Sequence, residues 1–376
     1  MQTIQAAVLD RTDGVVVSHK IAIEDMQLEA PRAGEVLVRL TSCGVCGTDR
    51  GCIHGAEPVP TPCVLGHEGA GIVEEVGAGV TQFAPGDRVV LGFPYCGVCR
   101  QCVRGQPHYC AKLQGLLFSC YRLDGSTPLR RQSTGEPVAG RFFQQSSWAT
   151  HTLALEQQLV KVPAGADLDL FGPLGCSVST GAGTVFNELR PRAGSSIAVF
   201  GSGTVGLCAV MAARLQGCTT IIAIDQSARR LAAAKELGAT HTINTKEISG
   251  VVAAVKDLTH GELDHSIEST LGAKLAAEAV ESLGILGTCA LVGGGKPTQE
   301  MKLKHEDVLL QGKRIVGAMG GGGQSSTMYP ALIALQTQGR FPLEKIVRYY
   351  PFEQINQALD DCENDAVIKP ILRMAA

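Results

Sequence analysis

The stretch "SSIAVFGSGTVGLCAVMAARLQGC", residues 195–218, restricts the fold more than any other part of the chain. An apolar, partly β-branched run breaks at Gly201, Gly203 and Gly206 and resumes as an apolar segment of helical length. That order reads as a buried strand, a glycine turn and a buried helix. A second strand, "TTIIAID", ends on Asp225, nineteen residues after Gly206. G-x-G-x-x-G alone means little in a chain with 45 glycines. Between a strand and a helix, with an acidic residue closing the next strand, it is the pattern of a dinucleotide-binding βαβ unit. The glycines permit a tight turn and close approach of backbone to pyrophosphate, and the helix N-terminus offers free N–H groups. Asp225 can accept hydrogen bonds from ribose hydroxyls and repels a 2′-phosphate, which favours NAD over NADP.

The same rhythm continues downstream. "ARRLAAAKELG" is an amphipathic helix ending on a capping glycine. "DHSIEST", "GTCALVGGG" and "RIVGAMGG" are buried-strand candidates, separated by helical stretches such as "AKLAAEAVESLG". Alternation of this kind predicts a parallel sheet covered by helices. The N-terminal half differs: "EVLVRLTSCGVCG", "GAGIVEEVG" and "DRVVLGF" are short β-like runs punctuated by glycine. The last fifty or so residues carry two helical patterns, "YPALIALQTQG" and "FEQINQALDDCE", then a closing strand, "IKPILRM". With 376 residues there is chain enough for two domains.

Formal net charge is −3 and no basic block is present, which argues against nucleic acid or an anionic membrane as partner. The longest uncharged stretch, residues 195–213, is interrupted by glycines and too short for a membrane span. "MQTIQAAVLDRTDGVVV" lacks the basic and apolar regions of a signal peptide, so a cytoplasmic location is expected, where disulfides are rare. The 14 cysteines must then be explained otherwise. "YCGVCRQCVRGQPHYC" crowds Cys96, Cys99, Cys102 and Cys110 together, for a metal or a redox pair. Cys120, Cys208, Cys218, Cys289 and Cys362 stand singly and read as small buried hydrophobes. Cys46 in "CGVCGTD", His67 in "GHEGAG" and Cys176 in "GPLGCSVSTG" are the residue types of a three-ligand zinc site with an open fourth position. On spacing alone Cys43 competes with Cys46.

"GHEGAGIVEEVGAGV" resembles the signature of the zinc-containing medium-chain alcohol dehydrogenases. The resemblance continues through the four-cysteine lobe, "GCSVSTG", the dinucleotide motif and the closing "KPIL". It implies an α/β protein: a mostly β, GroES-like catalytic domain over residues 1–178, closed by 321–376, and a Rossmann-type, doubly wound parallel-sheet cofactor domain over 179–320. It further implies a structural zinc on Cys96, Cys99, Cys102 and Cys110, and a catalytic zinc on Cys46, His67 and Cys176 with Glu68 behind it. Thr48 would take the substrate proton. Thr180 and Val205 would press on the nicotinamide with Val292 nearby, while Arg230 and Lys369 would approach ribose and phosphates. Phe93, Phe142, Phe143 and Trp148 fall where the family lines its substrate channel. Relatives assemble through the cofactor domain, so a homodimer or homotetramer is expected. Two positions depart from many relatives: Gly51 replaces a proton-relay histidine, with His54 nearby in sequence, and Gly47 replaces a cationic residue.

The pattern looks closest to the benzyl (aryl) alcohol dehydrogenase branch, which implies NAD-dependent exchange between aldehydes and primary aromatic, allylic or long-chain alcohols. The alternative is a thiol-dependent formaldehyde dehydrogenase, for which Arg122, Arg130 and Arg131 would supply the grip on an acidic thiol. Outside catalysis, a zinc-ribbon binding protein or an inactive scaffold relative are the other readings. The acidic balance opposes the first, and intact Cys46, Thr48, His67 and Cys176 oppose the second.

Overall fold

In a computed structural model that describes residues 1–12, 15–16, 21–270, 272–294 and 299–374, the run "EVLVRLTSCG" forms the strand Glu35–Gly44. It is buried along nearly its whole length and sits in the middle of a seven-stranded sheet. Gly69–Val76 pairs antiparallel on one side, with register irregularities between Leu37 and Val38 and between Leu40 and Ser42. On the other side the strand is shared: His151–Leu155 takes its first half, and Lys369–Arg373 takes Ser42–Gly44. Residues more than 300 positions apart thus lie side by side. A five-stranded sheet, ordered Pro137–Val138, Leu129–Arg131, Ala22–Leu28, Gln2–Leu9 and Cys63–Val64, completes the β framework. This framework belongs to one compact unit, Met1–Cys176 with Gln324–Thr337 and Leu343–Ala376.

The second unit is Ser177–Gly323 with Gln338–Pro342, a short grouping that no sequence signal marks. Its sheet is six-stranded and wholly parallel, in the order His241–Asn244, Thr220–Asp225, Ser196–Phe200, His265–Glu268, Thr288–Leu291 and Arg314–Gly317. The strands carry near-continuous apolar runs because helices such as Thr204–Leu215 and Ala273–Glu281 cover the sheet. Phe200, Ile222, Ile224, Val255, Leu263, Val280 and Cys289 form its core. Strand order reverses beside Ser196–Phe200, the place where ligands of doubly wound sheets bind. The helix expected from "ARRLAAAKELG" runs Ala228–Leu237 and ends on Gly238 at φ 125°. Cys120, Cys208, Cys218 and Cys289 are buried as expected. Cys362 is not: it is half-buried, and its sulfur accepts from Arg50 Nη1 at 3.6 Å.

Candidate metal centres and cofactor turn

Beyond Gly44 the chain passes Val45 and Cys46 and enters the short helix Gly47–Ile53. Asp49, fully buried, ties this turn to the next ligand. Its Oδ2 accepts the Cys46 N–H at 3.0 Å, and its Oδ1 accepts the Gly66 N–H at 3.1 Å and lies 3.0 Å from His67 Nδ1. A carboxylate on Nδ1 holds the ring with Nε2 directed away, the arrangement of a metal-ligating histidine. His67 Nε2 is buried and makes no hydrogen bond. Cys176 arrives from the 3-10 segment Leu168–Gly175, whose last residue lies so close to strand Arg88–Leu91 that a Cβ there would sit 2.3 Å from the Leu91 carbonyl oxygen. Only glycine admits that approach.

The donor atoms of Cys46, His67, Glu68 and Cys176 all lie within 4.8 Å of one another, and the two sulfurs are 4.0 Å apart. Two thiolates on one tetrahedral zinc stand about 3.8 Å apart, from Zn–S bonds of about 2.3 Å. The electrostatics match. Burial opposes charge on His67, yet Asp49 overcomes it and holds the imidazole pKa at about 10. A hydrogen bond from Cys176 keeps the Cys46 thiol well below its ordinary value against the effect of burial. The site therefore demands a cation, and with an orphaned Nε2 and paired sulfurs the residues fit zinc. Thr48 Oγ1 lies 3.9 Å from Cys46 Sγ.

Aromatic rings crowd the imidazole. Phe143 stacks on His67 with centroids 4.2 Å apart, and Phe142 meets it edge-on at 5.5 Å. Phe93 and Phe118 each approach Phe143 at 5.7 Å. The turn that presents Phe142 and Phe143 is strained: Phe143, Gln144 and Ser146 have φ of 52°, 54° and 57°. Strain of about 1–3 kcal/mol per residue persists only where surroundings impose it. Here Ser146 Oγ donates to the Val64 carbonyl at 2.7 Å and accepts the Phe142 N–H at 2.8 Å. Phe118 closes the helix Leu113–Phe118 and carried no sequence signal. Trp148 differs from expectation. It is fully buried with its indole across Gly66, where a Cβ would meet Cδ1 at 2.5 Å, so it props the His67 turn from behind.

In the cysteine lobe Cys99 and Cys102 sulfurs are 3.5 Å apart, and Cys96–Cys102 and Cys99–Cys110 are both 4.0 Å. Backbone N–H groups of Ala111, Cys96 and Lys112 point at these sulfurs. The Ala111 N–H brings the Cys99 thiol down to about 6. Four thiolates leave no position for a substrate, so this set suits a structural zinc.

In the second unit a Cβ on Gly206 would stand 1.8 Å from the Gly201 carbonyl oxygen, which fixes glycine at this turn. Asp225 Oδ2 accepts the Ser202 N–H at 2.7 Å and Oδ1 accepts the Ser227 N–H at 2.9 Å, holding the carboxylate beside the glycines. Arg230 Nη1 lies over Gly203, 4.0 Å from where its Cβ would be. Helix Ser177–Gly183, which carries Thr180, lies against the Val205 carbonyl. Val292 follows strand Thr288–Leu291, its N–H bonded to the Glu268 carbonyl at 2.9 Å.

Three expectations change. Lys369 is not poised for a phosphate. It is enclosed in the first unit, where its ammonium pairs with Glu68 and donates to the Val45 carbonyl at 2.9 Å. Arg122 is buried against Glu35 and Glu29 at 2.8 and 2.9 Å, and Arg131 pairs with Glu24 and Glu136. Only Arg130 of the three remains exposed, with Nη1 bonded to the Gly135 carbonyl at 3.3 Å, so two of the three arginines are occupied by carboxylates of this chain. His54 pairs with Glu363 at 2.5 Å.

The zinc-binding dehydrogenase family signature matches residues 204–337, and that of the alcohol dehydrogenase GroES-like domain matches 32–164. The chain is 38% identical over 369 residues to the geraniol dehydrogenase of Castellaniella defragrans, covering 98% of this chain and 97% of that one. Among solved structures, an alcohol dehydrogenase zinc-binding domain protein from Burkholderia ambifaria superposes with a TM-score of 0.95 at 44% identity. The benzyl alcohol dehydrogenase of Acinetobacter calcoaceticus does so with 0.94 at 39%. In both, all of each chain is covered. With its GroES-like and parallel-sheet units and its two zinc-type ligand sets, the chain belongs to the zinc-containing medium-chain alcohol dehydrogenases.

Proposed function

We propose that the protein exchanges primary aromatic and allylic alcohols with their aldehydes, using NAD. The observation that carries this reading is the ring cluster in which Phe142 and Phe143 meet the His67 imidazole and Phe93 and Phe118 in turn meet Phe143. A planar, apolar substrate gains area and favourable ring contacts there, while ethanol gains little. The relatives named for geraniol and benzyl alcohol support the same substrate class. Zinc held by Cys46, His67 and Cys176 supplies Lewis acidity that eases loss of the hydroxyl proton, and NAD accepts the hydride. Thr48, beside Cys46, receives the proton, and the phenylalanines exclude water from the carbon that is oxidised. Asp225, fixed by two backbone N–H groups, favours a ribose 2′-hydroxyl over a 2′-phosphate. Arg122 and Arg131, occupied by ion pairs, weigh against the thiol-dependent formaldehyde reaction.

Reduction of NAD and NADP by the purified protein on benzyl alcohol, cinnamyl alcohol, geraniol, hexanol, ethanol, and formaldehyde with and without glutathione tests the reading. Fast, thiol-independent turnover of the first three with NAD is expected. Turnover of formaldehyde with thiol alone would overturn it.

The reading includes a homo-oligomer in the cytoplasm, where reducing conditions keep metal-ligating thiols available. Among the described residues the strand Arg314–Gly317 ends the parallel sheet; Leu309 and Leu310 stand exposed just before it, and Ile285 and Leu286 just before its neighbour Thr288–Leu291. Leu286 N–H bonds the Gln311 carbonyl at 2.7 Å, so these residues share one face. An open edge with an apolar margin favours pairing with a second copy.

A further inference from the structure

Glu68 stands in a place that ought to be a liability. Its carboxylate lies among the donor atoms of Cys46, His67 and Cys176, all within 4.8 Å of one another. As a fourth ligand it would close the metal's coordination shell, and a closed shell is that of a structural site, with no position for an alcohol. Glu68 is fully buried, so its carboxylate cannot turn to water instead.

Two features of the surrounding chain engage its Oε2. The carboxylate fills a slot over Gly44, where a Cβ would fall 2.0 Å from Oε2. Any residue but glycine there would push Glu68 out. Into the same slot reaches Lys369, 1% exposed, whose Nζ pairs with Glu68 Oε2. That ammonium is itself anchored: it donates to the Val45 carbonyl at 2.9 Å, and the Val45 N–H donates to the Pro370 carbonyl at 3.0 Å. Lysine and acid therefore sit on a rigid crossing of two strand ends rather than on mobile stems.

We propose that Lys369 is a positioning residue that latches Glu68 off the metal and so keeps the substrate's coordination position open. The inference rests on the zinc centre described above. Charge count supports it. Two thiolates, the Glu68 carboxylate and the buried Asp49 on His67 Nδ1 outnumber a divalent ion and one ammonium, so the ammonium of Lys369 is needed to hold down the excess negative charge. Without the ammonium, the carboxylate loses the cation that holds its Oε2, and a buried charge that has lost its ion pair is drawn toward the metal beside it. The latch also accounts for a buried cation at the start of the closing strand Lys369–Arg373.

The test replaces the catalytic zinc by cobalt, retains the structural zinc, and titrates imidazole, a neutral probe of the open position, by visible absorption at fixed pH. In wild type imidazole changes the spectrum. In Lys369→Met the apparent Kd rises by about tenfold or more, because Glu68 occupies the position. The double variant K369M/E68Q removes the competing carboxylate and restores imidazole binding to within about threefold of wild type. Wild-type affinity in Lys369→Met overturns the proposal. So does a double variant as impaired as the single, since Lys369 would then act through the fold and not through Glu68. Lys369→Gln, which keeps a donor for Val45 without the charge, carries the same expectation if Lys369→Met does not fold. A wild-type protein with no cobalt–thiolate absorption would overturn the metal centre itself, and the latch with it.

Discussion

Replacing Asp49 by asparagine turns an amide donor toward one of three groups that now point hydrogens at a carboxylate: the Cys46 and Gly66 N–H groups and His67 Nδ1. Loss of such a supporting carboxylate costs about 10–100-fold in metal affinity or activity. Asp49→Asn is therefore expected to lower kcat/KM in that range and to speed zinc loss to a chelator, with an unchanged circular dichroism spectrum. Asp225→Ser should lower the ratio of kcat/KM for NAD over NADP by about tenfold or more, because the charge that repels a 2′-phosphate is gone. The ligands themselves were legible as residue types beside glycine turns, and the resemblance chose Cys46 over Cys43. Asp49 was visible in "CGTD" but had no mark of its role, since two of its three partners, Gly66 and His67, lie 17 and 18 residues away. Phe118 was hidden for a similar reason: a ring that contacts Phe142 and Phe143 across a folded loop has no periodicity to betray it.

At the scale of elements, the cysteine lobe has almost no apolar interior. Its regular structure is the short helix Arg100–Val103 and the turn Pro107–Tyr109, and its apolar residues Val98 and Val103 are 78% and 74% exposed. Metal coordination takes the place of a core. Cys99→Ser should lose one zinc per chain by elemental analysis and expose the lobe to rapid proteolysis. Elsewhere the order of elements followed from sequence, because strand and helix periods differ and glycines mark the turns between them. What the arginines do did not follow, because a charge pattern cannot say which cations are buried. Arg122 and the fully buried Arg141 converge on Glu35. Burial alone would raise the Glu35 pKa, but hydrogen bonds from Arg122 and the charge of Arg141 bring it below its ordinary 4.5. A depressed carboxylate stabilises the fold above the unfolded value and loses that contribution as pH falls through the lower folded value. Glu35→Gln is expected to cost about 3–5 kcal/mol near neutrality by stranding buried guanidinium charge. The gap in Tm from wild type should narrow as pH drops below 4.5. A gap independent of pH would contradict the ion-pair account.

For the whole molecule, the open edge at Arg314–Gly317 sets the expectation for assembly. The double variant Leu309→Glu, Leu310→Glu places charge on the exposed apolar margin and should shift the mass measured by light scattering toward the monomer. Unchanged mass would place the contact elsewhere. That the chain leaves one unit and returns to it was expected from the resemblance to the family. Local pattern shows strands but not which distant strand each will join: nothing in "IKPILRM" announces its pairing with Ser42–Gly44.

That pairing has a consequence for how the protein is made. Synthesis proceeds from the N-terminus at about 5–20 residues per second, and continuous segments fold as they emerge. The parallel sheet from Ser196 to Gly317 is contiguous and can close while translation continues. The metal centre cannot. Cys46, His67, Glu68 and Cys176 are made well before Lys369 and the strand that pairs beside Gly44. Until that strand is made, the nascent chain carries a clustered set of thiols and an acid without its cation. A stop codon at position 369 would leave every metal ligand present and the site without its buried ammonium.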